Sequence, residues 1–170
     1  MIALIPNLLA LDTAMKPVAT RFAKAFERAW DRIPADAKAT IRDYFRKCPG
    51  RVYMCYRMDF GDHPREPWGR CSWYEDKTVL TFLAPFVEGV QPLEKVSDVI
   101  AHELAHCFTR GSNTWVETYE IEEANVRHLC AEWGFGESDT DAEAEATFEN
   151  WRKTIGIGFR EWTEVHYLRG

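Results

Sequence analysis

Leu93-Glu-Lys-Val-Ser-Asp-Val-Ile-Ala-His-Glu-Leu-Ala-His-Cys-Phe-Thr-Arg-Gly111 is the stretch from which the rest of the chain can be read. Val96, Val99, Ile100, Ala101, Leu104, Ala105 and Phe108 recur at helical spacing, with no glycine or proline among them. The spacing predicts one helix over 93–110, closed by Gly111. On that helix His102 and His106 are four residues apart, about 6 Å of rise and ~40° of rotation. Both imidazoles then point the same way, close enough to share one tetrahedral ion at roughly 2.0–2.1 Å. Glu103 lies about 100° round from the first histidine. It can flank such an ion without ligating it and take a proton from water.

A hydrolytic metal site takes three protein ligands and keeps one position open. The next helix offers Glu117, Glu120, Glu122 and Glu123. Thr114-Trp-Val-Glu117 has the pattern of a capping box, so that helix is expected to start there and run to Trp133, stopping at Gly134. Counting ~100° per residue, Val116, Tyr119, Glu123, Val126, Arg127 and Cys130 fall within about 60° of one line. Glu123 then sits mid-face among apolar neighbours, Glu120 lies on the flank, and Glu122 points elsewhere. A carboxylate on an inward face is costly unless paired or metal-bound. Glu123 is therefore the first choice for third ligand and Glu120 the second.

Upstream of this pair the periods change twice. Pro17 suits a first helical turn, and Phe22, Phe26, Ala29, Trp30 and Ile33 follow at helical spacing. Pro34 opens a second helix with Ala37, Ile41, Tyr44, Phe45 and Cys48 on one face, stopped by Pro49-Gly50. Arg51–Met58 reads as a strand, 59–70 as a loop, and Cys71–Glu75 and Thr78–Leu83 as two strands joined at Asp76-Lys77. A last helix is expected from Thr140 to about Lys153, followed by a tail. The layout is α+β in one domain, 1–170: N-terminal helices 17–48, a small antiparallel or mixed sheet over 51–83, active-site helices 93–133, and a C-terminal helix and tail over 139–170.

Composition narrows the function classes. The 170 residues carry a net charge of −6, which disfavours non-specific nucleic-acid binding. Residues 1–57 hold eleven Lys/Arg against five Asp/Glu, so the acidic excess lies in the remainder. Cys48, Cys55, Cys71, Cys107 and Cys130 are odd in number and contain no Cys-x-x-Cys pair, so neither a disulfide framework nor a zinc ribbon is expected. Reduced thiols in a cytoplasmic protein are the default. The apolar start, Met1–Leu11, lacks a basic flank and is broken by Pro6; it reads as an arm or strand packed on the body rather than a signal peptide. No run approaches the ~18 apolar residues of a membrane span.

His102-Glu-Leu-Ala-His106, followed by Glu123-Ala-Asn-Val-Arg-His-Leu-Cys-Ala-Glu-Trp-Gly-Phe135, resembles the gluzincin branch of the HExxH zincin metallopeptidases, in particular its compact prokaryotic and phage-encoded members. The likeness covers residues 78–135. It implies a zincin-like fold and one catalytic Zn²⁺ held by His102, His106 and Glu123, with Glu103 as general base. It also implies a strand before the active-site helix that pairs with an extended peptide substrate. The family often has an acid four residues after the ligand glutamate, to brace a histidine. Arg127 stands there, so bracing must come from elsewhere. Tyr119 and His128, with Arg110 and His166 behind them, are candidate oxyanion or substrate contacts. The function expected is zinc-dependent peptide hydrolysis. One alternative is a zincin-like domain that acts by binding a protein partner. A SprT-like DNA-associated protease is a further alternative, but a third histidine after the motif and a Cys-x-x-Cys ribbon are both missing.

Overall fold

A computed structural model describes residues 16–55, 68–83, 87 and 92–136. Among the described residues four helices and three strands follow one another: α1 Lys16–Arg32, α2 Ala35–Lys47, β1 Gly50–Cys55, β2 Gly69–Trp73, β3 Thr78–Leu83, α3 Leu93–Gly111 and α4 Tyr119–Glu132. The architecture is mixed α+β. The expected arm at 1–11, the extension of β1 to Met58, the helix from Thr140, and His166 lie outside the described residues.

The sheet is mixed, in the order β1-β3-β2. β2 and β3 form an antiparallel hairpin with Trp73 opposite Thr78, closed by Tyr74 N–H donating to the Lys77 carbonyl at 2.9 Å. β1 runs parallel to β3, Gly50 opposite Thr78 and Cys55 opposite Leu83. The strand that precedes α3 is therefore central and hydrogen-bonded on both sides. Its sequence suits that place: Thr78-Val-Leu-Thr-Phe-Leu83 is a nearly continuous apolar run, and Val79, Leu80 and Phe82 are buried. β3 has no free edge to offer an extended peptide, contrary to what the resemblance implies. Among the described residues β2 is the edge strand on the side of α3.

α3 is the axis of the molecule. α1, α2, α4 and β2 all pack on it. From Val96 to Cys107 every side chain is buried, polar ones included. A helix enclosed on all sides must be apolar nearly all round or have its polar groups paired. Two buried polar groups in its first half are paired: Ser97 Oγ donates to the Ala25 carbonyl at 3.0 Å, and Asp98 faces Arg32 at 3.7 Å. Phe22 of α1 meets Phe82 of β3 at 5.0 Å between ring centroids, tying helix layer to sheet. The apolar positions expected on α1 and α2 face this core, except Cys48, which follows the last residue of α2 and stays outside the cluster.

Several boundaries differ from the sequence reading: β2 is Gly69–Trp73, two residues earlier than the expected 71–75, and the end of α3 and the start of α4 also move. Gly111 lies inside the last turn of α3, tight against Thr40 and Tyr44 of α2, and the chain reverses at Asn113, whose φ is 58°. Thr114 and Trp115 N–H both donate to the Thr109 carbonyl, at 2.9 and 3.0 Å. The presumed capping box is thus spent on closing α3. α4 begins at Tyr119, after Thr118, with no side-chain cap. It ends as expected, at Gly134 with φ 81°.

Candidate metal centre

His102 and His106 project from the buried side of α3 toward the first turns of α4, where Glu123 meets both. Glu123 Oε2 lies 3.2 Å from His102 Nε2, and Glu123 Oε1 lies 3.1 Å from His106 Nε2. The three side chains place one nitrogen or oxygen each within 4.8 Å of one another. Ligands at ~2.0–2.1 Å from a tetrahedral ion are about 3.3 Å apart. Each carboxylate oxygen lies near that distance from a different histidine, Oε2 from His102 and Oε1 from His106. Two imidazoles and one carboxylate are also the donor types that a borderline divalent ion such as zinc accepts. The residues fit a metal ion with one position left over.

The electrostatics agree with a site built for positive charge. Burial pushes Glu123 toward neutrality, but hydrogen bonds and charge from His102 and His106 overcome it and hold the carboxyl far below its ordinary range. Burial lowers His106, yet its hydrogen bond to Glu123 and the charges of Glu103 and Glu123 leave its pKa raised. Glu103 is 5% exposed. Burial raises its pKa, opposed by the two histidines and by the Cys71 N–H, which donates to it from β2. β2 lies directly over Glu103. A Cβ on Gly69 would stand 2.7 Å from Glu103 Oε1 and 2.9 Å from Val99 Cγ1, so only glycine allows this approach.

Glu122 is the residue the sequence reading misplaced. It does not point away: it is 3% exposed. Its Oε1 accepts from Thr109 Oγ1 at 2.5 Å and lies 3.4 Å from His106 Nδ1; its Oε2 accepts the Val116 N–H at 3.1 Å. This is the brace for His106 that Arg127 does not supply, since Arg127 is exposed. The cause of the error is the helix start. Val116 precedes α4, and Tyr119, at its first position, is 61% exposed. Without them the inward face holds Glu122, Val126 and Cys130, with Glu123 on its Cys130 side at ~100° from Glu122. Glu120 is exposed and does not join the cluster. A signal was present in the sequence: two adjacent glutamates, one turn ahead of a buried valine, can serve ligation and bracing together.

Of the other candidates, Tyr119 is at the exposed start of α4, and His128 is exposed and paired with Glu132 at 3.2 Å. Neither belongs to the buried cluster. Cys107 is buried, its thiol bonded back to the Glu103 carbonyl and 4.0 Å from Cys71 Sγ. Cys48, Cys71, Cys107 and Cys130 are free thiols. Burial pushes Cys130 up to about 12, so it is a packing residue rather than a nucleophile. Trp73, at the end of β2, sets its ring edge-on to His106 at 5.9 Å and to Trp115 at 6.0 Å. Among the described residues no helix is long and apolar enough to cross a membrane. The chain matches no known family model, no curated protein and no solved structure.

Proposed function

We propose that this protein is a zinc-dependent peptidase of the zincin type, with His102, His106 and Glu123 as ligands and Glu103 as general base. The observation that carries the reading is the convergence of two imidazoles one helical turn apart with a carboxylate from the next helix, one donor atom of each lying within 4.8 Å of the others. Zinc held there would supply a Lewis acid that brings the acidity of water near neutral pH. Glu103, with its pKa raised by burial, is suited to accept a proton and hand it on to a departing amine. Glu122 fixes the His106 ring through Nδ1, leaving Nε2 for the ion.

The test is metal content followed by turnover. The purified chain is expected to hold one zinc ion, and to cleave denatured protein or a peptide library only when loaded. Glu103→Gln should keep the ion and lose turnover by about 10²–10⁴-fold, the range of general-base catalysis. Absence of metal uptake at micromolar zinc would end this reading.

The near-complete burial of Glu103 beneath β2 favours one second reading: a metal-holding zincin-like domain that acts through a protein partner. It predicts zinc uptake with no cleavage by the parent chain.

A further inference from the structure

Beside the metal-ligand cluster three elements converge on one cation. Arg110, in the last turn of α3 and four residues past His106, places its Cζ 3.4 Å from the ring centroid of Trp115, in the α3–α4 connection. The same atom is 4.4 Å from the centroid of Trp73, at the end of β2. The indoles stand at 69° to each other, so the guanidinium occupies the corner between them. Trp73 in turn touches the His106 ring, which makes this corner continuous with the cluster.

The corner lacks an acceptor. Arg110 Nε and Trp73 Nε1 are both buried and have no hydrogen-bond partner. Arg110 forms no ion pair among the described residues. Both groups can only donate. Buried donors are nearly always satisfied, and an orphan next to a functional site calls for an explanation. Indole faces also strip water from the guanidinium and leave its edge as the direction in which it can bond. The chemistry that answers two donors and a positive charge is an anionic, planar acceptor, and a carboxylate fits a guanidinium edge with two parallel bonds.

We propose that Arg110, Trp73 and Trp115 form a specificity subsite for a peptide carboxylate, borne by an acidic side chain or by the chain terminus. The proposal rests on the peptidase reading for its substrate class. Its geometry does not depend on the ion.

The experiment is binding by fluorescence anisotropy, on the full chain carrying Glu103→Gln to prevent turnover. The probes are labelled, end-blocked alanine pentapeptides with Glu or Gln at the centre, and all-alanine pentapeptides with a free or amidated C-terminus. Each is measured with zinc and again with chelator. At least one acidic probe is expected to bind about tenfold tighter than its neutral counterpart, the scale of one charge-assisted contact. The Glu/Gln pair and the acid/amide pair separate the two carboxylate sources. Arg110→Met should erase the preference, and Arg110→Lys should recover part of it. Trp73→Phe keeps a ring and removes the indole donor; it should weaken the preference severalfold, and it serves should Arg110→Met fail to fold. Equal affinities for acid and neutral probes, a preference that survives Arg110→Met, or one that vanishes with chelator would overturn the subsite. Lack of zinc uptake, by contrast, removes the peptidase reading while the chelator arm still reads the subsite.

Discussion

At the scale of single residues, the adjacent pair Glu122 and Glu123 divides two tasks. Glu123 meets both histidines, whereas Glu122 is tied to Thr109, Val116 and His106. Partners of ligating histidines set ring orientation and basicity, and their loss commonly costs 10–100-fold in metal affinity. Glu122→Ala is therefore expected to weaken zinc binding by about that factor, measured by competition with a chromophoric chelator. Glu120→Ala, on the exposed side of α4, should leave it unchanged. A Glu120 effect equal to that of Glu122 would contradict the assignment.

At the scale of elements, α3 and β2 are held in one arrangement by Gly69. The strand lies on the helix where Glu103 stands, and Cys71 N–H bonds to the same carboxylate. Gly69→Ala would drive a methyl into Glu103 and Val99. We expect a loss of about 1–3 kcal/mol in unfolding free energy, the usual cost of overpacking, read from urea denaturation. Because Glu103 must yield first, peptide turnover should fall even in protein that remains folded and metal-bound. An alanine variant with unchanged stability and turnover would show that β2 is free to lift from α3. The helix–helix element behaves similarly: the α3–α4 connection folds back on Thr109, which fixes where α4 begins and so which glutamate faces the histidines.

At the scale of the whole molecule, the cluster is expected to couple stability to pH and, if it holds an ion as proposed, to metal. In the metal-free chain the raised pKa of His106 means that folding strengthens proton binding. That stabilisation is complete below the unfolded value of ~6.5 and is lost as pH rises through the higher folded value. Glu103, also raised, acts in the same direction. Glu123, lowered, stabilises above the unfolded value of ~4.3 and loses this in acid. Chelated protein should therefore melt highest in mildly acidic buffer and lose thermal stability from about pH 6.5 upward. Zinc requires the deprotonated histidines, so its affinity should rise over the same interval. A ligand that binds the folded chain alone adds RT ln(1 + [L]/Kd), about 2.7 kcal/mol at a hundredfold excess over Kd. Scanning calorimetry from pH 5.5 to 8.5, with zinc and with chelator, should find the two curves diverging as pH rises. Parallel curves would mean that metal and proton do not compete for one site.

The sequence by itself determined the helix that carries His102, Glu103 and His106, because periodicity and i,i+4 geometry are local properties of a chain. It also determined the α+β order of elements and the apolar faces of α1 and α2, for the same reason. Tertiary structure alone decided that β3 lies between β1 and β2 among the described strands, since strand order depends on which distant segments pair. It decided that Glu122 braces His106, because the inward face of α4 follows from how the preceding loop closes α3, and periodicity cannot register a helix whose start lies elsewhere. It also brought Arg110, Trp73 and Trp115 together from three elements; no local pattern links residues that meet only when a strand end, a helix end and a loop are packed side by side.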